Sequence, residues 1–161
     1  VSRILAVDPG PTESAYVVIG GESRRPVEFG KMDNQHFRQR LGFLGLTIDA
    51  GAIEMVASYG MAVGAEVFET CVWTGRFIEV SHETLTPIKR LAVKLHHCHT
   101  ARANDSNIVR ALVDRFAPGA PNFGKGTKAD PGWFHGFSKD VWQAYALAVL
   151  VADRLDDVPH E

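Results

Sequence analysis

Apolar residues arrive in bursts along this chain, and the rhythm inside each burst separates strands from helices. Ile4-Leu5-Ala6-Val7 is an unbroken apolar run closed by Asp8-Pro9-Gly10. So short a run reads as a strand buried on both faces and stopped by a turn. A second run, Ala15-Tyr16-Val17-Val18-Ile19, follows at once, so strands over 3–8 and 14–19 are expected to pair as a hairpin. After Gly20-Gly21, the stretch Pro26-Val27-Glu28-Phe29-Gly30 reads as a third strand, assigned to a sheet edge by its proline. Three sequential antiparallel strands make a meander.

The period then changes. With Asn34 as the expected N-cap, Phe37, Leu41, Leu44 and Ile48 recur at helical spacing, although Gly42 and Gly45 weaken that helix. Ala52-Ile53-Glu54-Met55-Val56 is a short apolar strand with one acid inside it; its approach through a helix predicts a parallel crossover. After the loop at 58–60, residues 63–80 predict a long helix with two apolar strips. Val67, Phe68, Cys71, Val72, Gly75 and Ile78 form one; Trp73, Phe77 and Val80 form the other. Such a helix is buried on both sides or packs on a partner subunit, and the Trp73 strip is the expected seat of a two-fold mate. Thr86-Pro87-Ile88 reads as a last strand, and helix and strand patterns compete over 87–103. Asp105 to Phe116 is helical, with Ile108, Leu112 and Phe116 on one face. From Ala117 to Gly136 the chain is rich in Gly and Pro, with no core-forming pattern, which predicts a long mobile loop. Ser138 is expected to cap a final helix, almost wholly apolar from Val141 to Ala152, that lies in the core against a sheet. There are no internal repeats.

Composition narrows the class. A chain of 161 residues, 45% hydrophobic and 22% charged, is read as one domain spanning 1–161. Its formal net charge of −2 excludes a bulk polycation, so nucleic-acid affinity requires a local basic patch or bridging metal ions. With only two cysteines, Cys71 and Cys98, a disulfide scaffold is excluded and a reducing compartment expected. No signal peptide or membrane-length apolar run is present, which predicts a cytoplasmic protein. The chain begins at Val1, and removal of an initiator methionine is expected.

Three acids stand apart from the solvated ones. Asp8 ends the first strand, Glu54 lies within the fourth, and Asp140 opens the buried last helix. Taken singly, these are a turn starter, an edge-strand acid and an acid favoured by the helix dipole. Taken together, neighbouring first and fourth strands crossed by the last helix would cluster the three carboxylates. Such a cluster repels itself unless cations intervene, the arrangement of a two-metal phosphoryl-transfer site.

In its order of motifs the chain resembles the RuvC-type Holliday junction resolvases of the ribonuclease H-like superfamily. The resemblance rests on Ile4-Leu5-Ala6-Val7-Asp8-Pro9-Gly10, on Ile53-Glu54-Met55, on Gly75-Arg76 in the long helix, and on Thr86-Pro87 with Lys89. It closes with Asp140 ahead of Ala144-Tyr145-Ala146-Leu147-Ala148. Gly64–Phe77 and Gly126–Ala148 are similar to the phage-encoded branch. The resemblance implies an α/β fold with a mixed five-stranded sheet flanked by helices, a homodimer, and paired nicks in four-way DNA junctions. It also implies Mg²⁺ or Mn²⁺ held by Asp8, Glu54 and Asp140, which would be the catalytic residues of a bacterial or phage-infected cell's enzyme. Many members carry a further aspartate one helical turn after the third acid; here that position is Gln143. Its neutral amide weakens one metal site or shifts the duty to Glu13 or Glu66.

Lys89, Arg90, Lys94 and Arg102 form a basic segment, joined by Arg76, Lys125 and Lys128, and are the expected phosphate contacts. Trp133 and Phe134 either stack on unpaired bases or pack into the core. His96-His97-Cys98-His99 is a poor zinc site, because adjacent ligands cannot all face one tetrahedral ion. It reads rather as a polar loop near DNA or a turn rim. Gly119 to Thr127 misses the P-loop pattern because Gly126 stands where Ser or Thr is needed, so no nucleotide cofactor is expected. Two rival readings share the fold: a nuclease for other branched, flap or RNA-containing substrates, and a non-catalytic DNA-binding subunit. An actin-like phosphotransferase would need a second lobe.

Overall fold

Strand pairing follows the apolar runs closely. The structure, a computed structural model, describes residues 2–159. It contains β1 (Arg3–Asp8), β2 (Glu13–Gly20), β3 (Pro26–Asp33), α1 (Asn34–Leu44), β4 (Ala50–Met55), α2 (Ala65–Val80), β5 (Leu85–Lys89), α3 (Arg90–Cys98), α4 (Asp105–Phe116) and α5 (Lys139–Asp156). The five strands form one mixed sheet in the order β3-β2-β1-β4-β5. β2 is antiparallel to both of its neighbours, while β1, β4 and β5 run parallel. The expected α/β architecture, a mixed five-stranded sheet flanked by helices, is the one observed.

Alternation along each strand sorts side chains between two cores. Ile4 and Ala6 of β1, Ala15 and Val17 of β2, and Ala52 of β4 face α5. Leu5, Val7, Tyr16, Val18 and Ile53 face Phe37 and Leu41 of α1 and Phe77 of α2. The α5 side is built from small residues. Ala6, Ala15 and Ala52 on the sheet and Ala144, Ala146 and Ala148 on the helix are buried, and let the helix lie close across the strands. α3 and α4 pack outside α5, and their Val93, Ile108 and Leu112 complete that core.

Several expectations are corrected. Asp33, not Asn34, caps α1, accepting from the His36 amide. Ile48 lies beyond the end of α1 but is still buried. Ser138 stands at the α5 N-cap without a side-chain cap bond. The contested stretch 87–103 contains the end of β5 and helix α3. The two strips of α2 exchange roles: Phe77 is buried against Phe37, with Trp73 and Val80 packed on the same core, while Phe68 and Val72 are each 61% exposed. Segment 117–136 does carry core residues. Phe134 is fully buried among Trp142, Phe137 and Tyr145. Trp133 stacks on Phe116 and donates its indole N–H to the Tyr145 hydroxyl, so both aromatics serve the core and neither is free to stack on bases.

Candidate functional site

The end of β1 gathers acids by register. Val7 pairs with Ile53 across the parallel β1–β4 ladder, so the next residues, Asp8 and Glu54, lie side by side on the α5 face. The two carboxyl groups act on each other electrostatically. Burial, the Glu54 charge and the Asp140 charge together push the Asp8 carboxyl up from 3.8 to about 8. Burial also raises Glu54, and the guanidinium of Arg90, 3.8 Å away, offsets part of that rise. Arg90 is itself bonded to Asp105 at the start of α4.

Asp140 completes the acidic corner from the first turn of α5. It lines the same cleft as Asp8, a space of about 250 Å³ bounded also by Pro9–Glu13 and Lys31. Its carboxylate turns to Lys31, whose Nζ lies 2.5 Å from Asp140 and 3.7 Å from Glu13. The hydrogen bond to Asp140 raises the Lys31 ammonium above its ordinary value. Lys31 has no sequence motif, yet register would have located it. Asp8 pairs with Ala15, and Ala15 with Lys31, so Glu54, Asp8, Ala15 and Lys31 form one row across the sheet. Ala15 is small enough to leave the Lys31 stem a path toward the acids.

Asn34 is a second residue that sequence reading assigned otherwise. It is 2% exposed, accepts from the Ser14 hydroxyl at 2.6 Å and donates to the Gly10 carbonyl at 2.9 Å. Ser14 in turn accepts from the Gly10 amide. This triangle pins the Pro9-Gly10 turn and with it the end of β1. Gly10 belongs there because an added Cβ would fall 2.3 Å from the Glu13 carbonyl oxygen.

The expected basic segment divides. Lys89 is exposed at the end of β5, beside Met55 and thus at the acidic end of the sheet. Arg90 and Lys94 both act electrostatically on Glu54, so Arg90 is an internal ion-pair partner. Lys125 lines a cavity with Gln143, and Lys128 is exposed nearby in the chain. Arg102 lines a different cleft, with His97, Cys98 and Arg110. Arg76 lies 4.2 Å above the Trp73 ring on α2. Of the acids suggested to replace the missing fourth carboxylate, Glu13 lines the Asp8 cleft, whereas Glu66 is exposed in the first turn of α2.

Of the histidine run, His96, His97 and Cys98 close α3, and His99 is its left-handed C-cap. His96 bonds Asp153 at 2.7 Å, and His97 donates to the Ala146 carbonyl at 2.7 Å. Both reach the flank of α5 that follows the site. Burial pushes His97 down to about 4. Among the described residues, no three His, Cys, Asp or Glu side chains already stand grouped for a metal ion. The donor set of carboxylate oxygens suits a hard divalent cation, and burial, with the charges of Glu54 and Asp140, holds the Asp8 carboxyl above its ordinary value.

Comparison with known proteins gives the fold a precedent. No family model and no curated protein matches the sequence. Among solved structures, the chain is similar to Thermus thermophilus RuvC, with a TM-score of 0.66 and 14% identity over 96% of each chain. It is also similar to T. thermophilus RuvC in complex with a Holliday junction substrate. There the TM-score is 0.69 and the identity 12%, over 96% of this chain and 95% of that one. The likeness is one of fold. No helix among the described residues is long and apolar enough to cross a membrane.

Proposed function

We propose that this protein is a divalent-metal-dependent endonuclease that resolves four-way DNA junctions by hydrolysing phosphodiesters in paired strands. The observation that carries the reading is the acidic corner: Asp8 and Glu54 adjacent on parallel strands, with Asp140 close enough to raise the Asp8 carboxyl. The fold shared with a protein solved on a Holliday junction supports the substrate class.

Asp8, Glu54 and Asp140 would hold Mg²⁺ or Mn²⁺, which supplies activation of water and neutralisation of charge on the phosphodiester. Asp8 would bind the ion as a carboxylate; Arg90 pairs with Glu54, and Lys31, which also reaches Glu13, would leave Asp140 free to join the donor set. Lys89 and Lys94 would present positive charge beside Glu54 to an approaching phosphate backbone, and Lys89 is the exposed member able to meet developing negative charge. Lys125 and Lys128 extend that contact, and the tip of segment 117–136 closes on the DNA.

Two junction strands need two sites, so the working form is a homodimer. Exposed Phe68 and Val72 on α2 support a seat for the second copy, and Gly75 next along that strip has open space around it. Free Cys71 and Cys98 support a reducing, cytoplasmic setting. Kinship with the phage-encoded branch rests on Gly64–Phe77 and Gly126–Ala148 alone.

The test is incubation with a synthetic four-way junction beside a flap and a linear duplex of matched sequence, with and without Mg²⁺. Paired nicks confined to the junction support the reading. Equal cutting of the flap favours a broader branched-DNA nuclease, and junction binding without any cutting favours a non-catalytic subunit.

A further inference from the structure

Gln143, on α5, buries a side-chain amide that has nothing to bond among the described residues. It is 6% exposed, and both its amide oxygen and its amide nitrogen lack a hydrogen-bond partner among the described residues. A buried carboxamide with no partner destabilises the fold, and a ligand that supplies the missing bonds would offset that cost. Gln143 lines a cavity of about 360 Å³ between α4, α5 and segment 117–136, within the ~300–1,000 Å³ usual for small-molecule sites.

The rest of the cavity has a consistent chemistry. Trp142 forms an apolar wall, and Phe123 stands at the rim, 62% exposed. Phe123 sits at a φ of +56°, in the left-handed region that a bulky side chain rarely adopts. Its ring is thereby presented to solvent, not to the core. Lys125 and Lys139 add positive charge at the edge. Asp105, on the opposite wall, is bonded to Arg90, which pairs with Glu54. The cavity is thus one ion-pair chain away from the acidic corner.

The unpartnered group in the cavity is a neutral amide, one edge of which both donates and accepts. That edge matches the hydrogen-bonding edge of a nucleobase, as in the pairing of Gln with adenine. An aromatic ring beside it offers a stacking face.

We propose that this cavity takes one unstacked nucleobase of the bound DNA, its edge read by the Gln143 carboxamide and its face covered by Phe123. The proposal rests on the nucleic-acid reading above. In it, Gln143 is a specificity-determining residue that fixes which base may lie beside the cut.

The test uses 2-aminopurine, a fluorescent adenine analogue, placed singly at successive positions around the exchange point of a four-way junction and along a single-stranded oligonucleotide. Ca²⁺ replaces Mg²⁺ so that binding is read without cleavage. Wild type is expected to change the fluorescence several-fold at one position only, and Gln143→Leu and Phe123→Ala to lose that response. An abasic site at the same position should weaken wild type several-fold and leave Gln143→Leu unaffected. Gln143→Leu should also unfold at a higher temperature than wild type, because an unpaired buried amide is gone. The proposal is overturned if no position is singled out in either DNA, or if Gln143→Leu keeps the response. A higher melting temperature with unchanged DNA behaviour, as for a cavity holding only water, overturns it too. If wild type fails to prefer junction over duplex, the resolvase reading falls. A single Gln143-dependent position in the single strand would still support the pocket.

Discussion

In an Asp8→Asn variant the buried carboxyl of β1 becomes an amide of nearly the same shape, and its charge conflict with Glu54 disappears. The magnitude follows from proton linkage. In the unfolded chain Asp8 ionises near 3.8, and in the folded protein near 8. Between those values the folded state binds more protons than the unfolded state, so stability is lost as pH rises through the window. At neutral pH the span is about 3 pH units, an upper figure of ~4 kcal/mol at ~1.4 kcal/mol per unit. Because Glu54 titrates under the influence of Asp8, the figure is reduced, and about 2–4 kcal/mol is expected. For a domain of this size that raises the melting temperature by roughly 4–16 °C. The assay is thermal unfolding by circular dichroism in EDTA at pH 5, 7 and 8.5. The advantage of the variant should be small at pH 5 and grow toward pH 8.5. Added Mg²⁺ should stabilise wild type and do little for the variant. A variant no more stable than wild type in EDTA, or one that Mg²⁺ stabilises equally, would refute the account of Asp8 as a ligand held ready by burial.

Other expectations address the surroundings. Asn34→Ala leaves Ser14 and Gly10 without their buried partner and should cost about 1–3 kcal/mol, read as a lower urea midpoint with an unchanged slope. Acid stability should be limited by His97: its neutral form is favoured down to about 4, so stability falls as pH drops from about 6.5 toward 4. His97→Gln should flatten that limb of a melting-temperature profile; an unchanged limb counts against it. Phe68→Glu together with Val72→Glu should convert a sedimenting dimer to a folded monomer, and unchanged sedimentation would move the two-fold interface elsewhere.

How far the chain explains itself depends on the kind of signal. The ends of buried strands are legible, because Asp8 and Glu54 interrupt apolar runs where an acid has no packing reason to be. Their adjacency needed only the inference that β1 and β4 are parallel neighbours. Lys31 was illegible to composition, since a lysine on an edge strand is ordinary. Its relation to Asp140 emerges only when two antiparallel registers are counted in series. Arg90 read as a DNA contact because charge runs carry no information on partners; in three dimensions Glu54 and Asp105 claim it. The strips of α2 were exchanged because both are apolar, and only the crossing of Phe77 over Phe37 decides which one faces the sheet. Segment 117–136 conceals its anchor, because Trp133 and Phe134 stand among Gly and Pro residues with no periodic companions. Gln143 was seen as a missing acid, while the cavity beside it depends on α4 and Phe123, which are distant in sequence.

The most direct test of the central claim compares four proteins on one labelled four-way junction. Wild type, Asp8→Asn, Glu54→Gln and Asp140→Asn are assayed in single turnover with Mg²⁺, and their junction binding is measured in parallel in EDTA. The account predicts cleavage by wild type alone and comparable binding by all four. Cleavage by any of the three variants at a rate near that of wild type, or by wild type in EDTA, would contradict it.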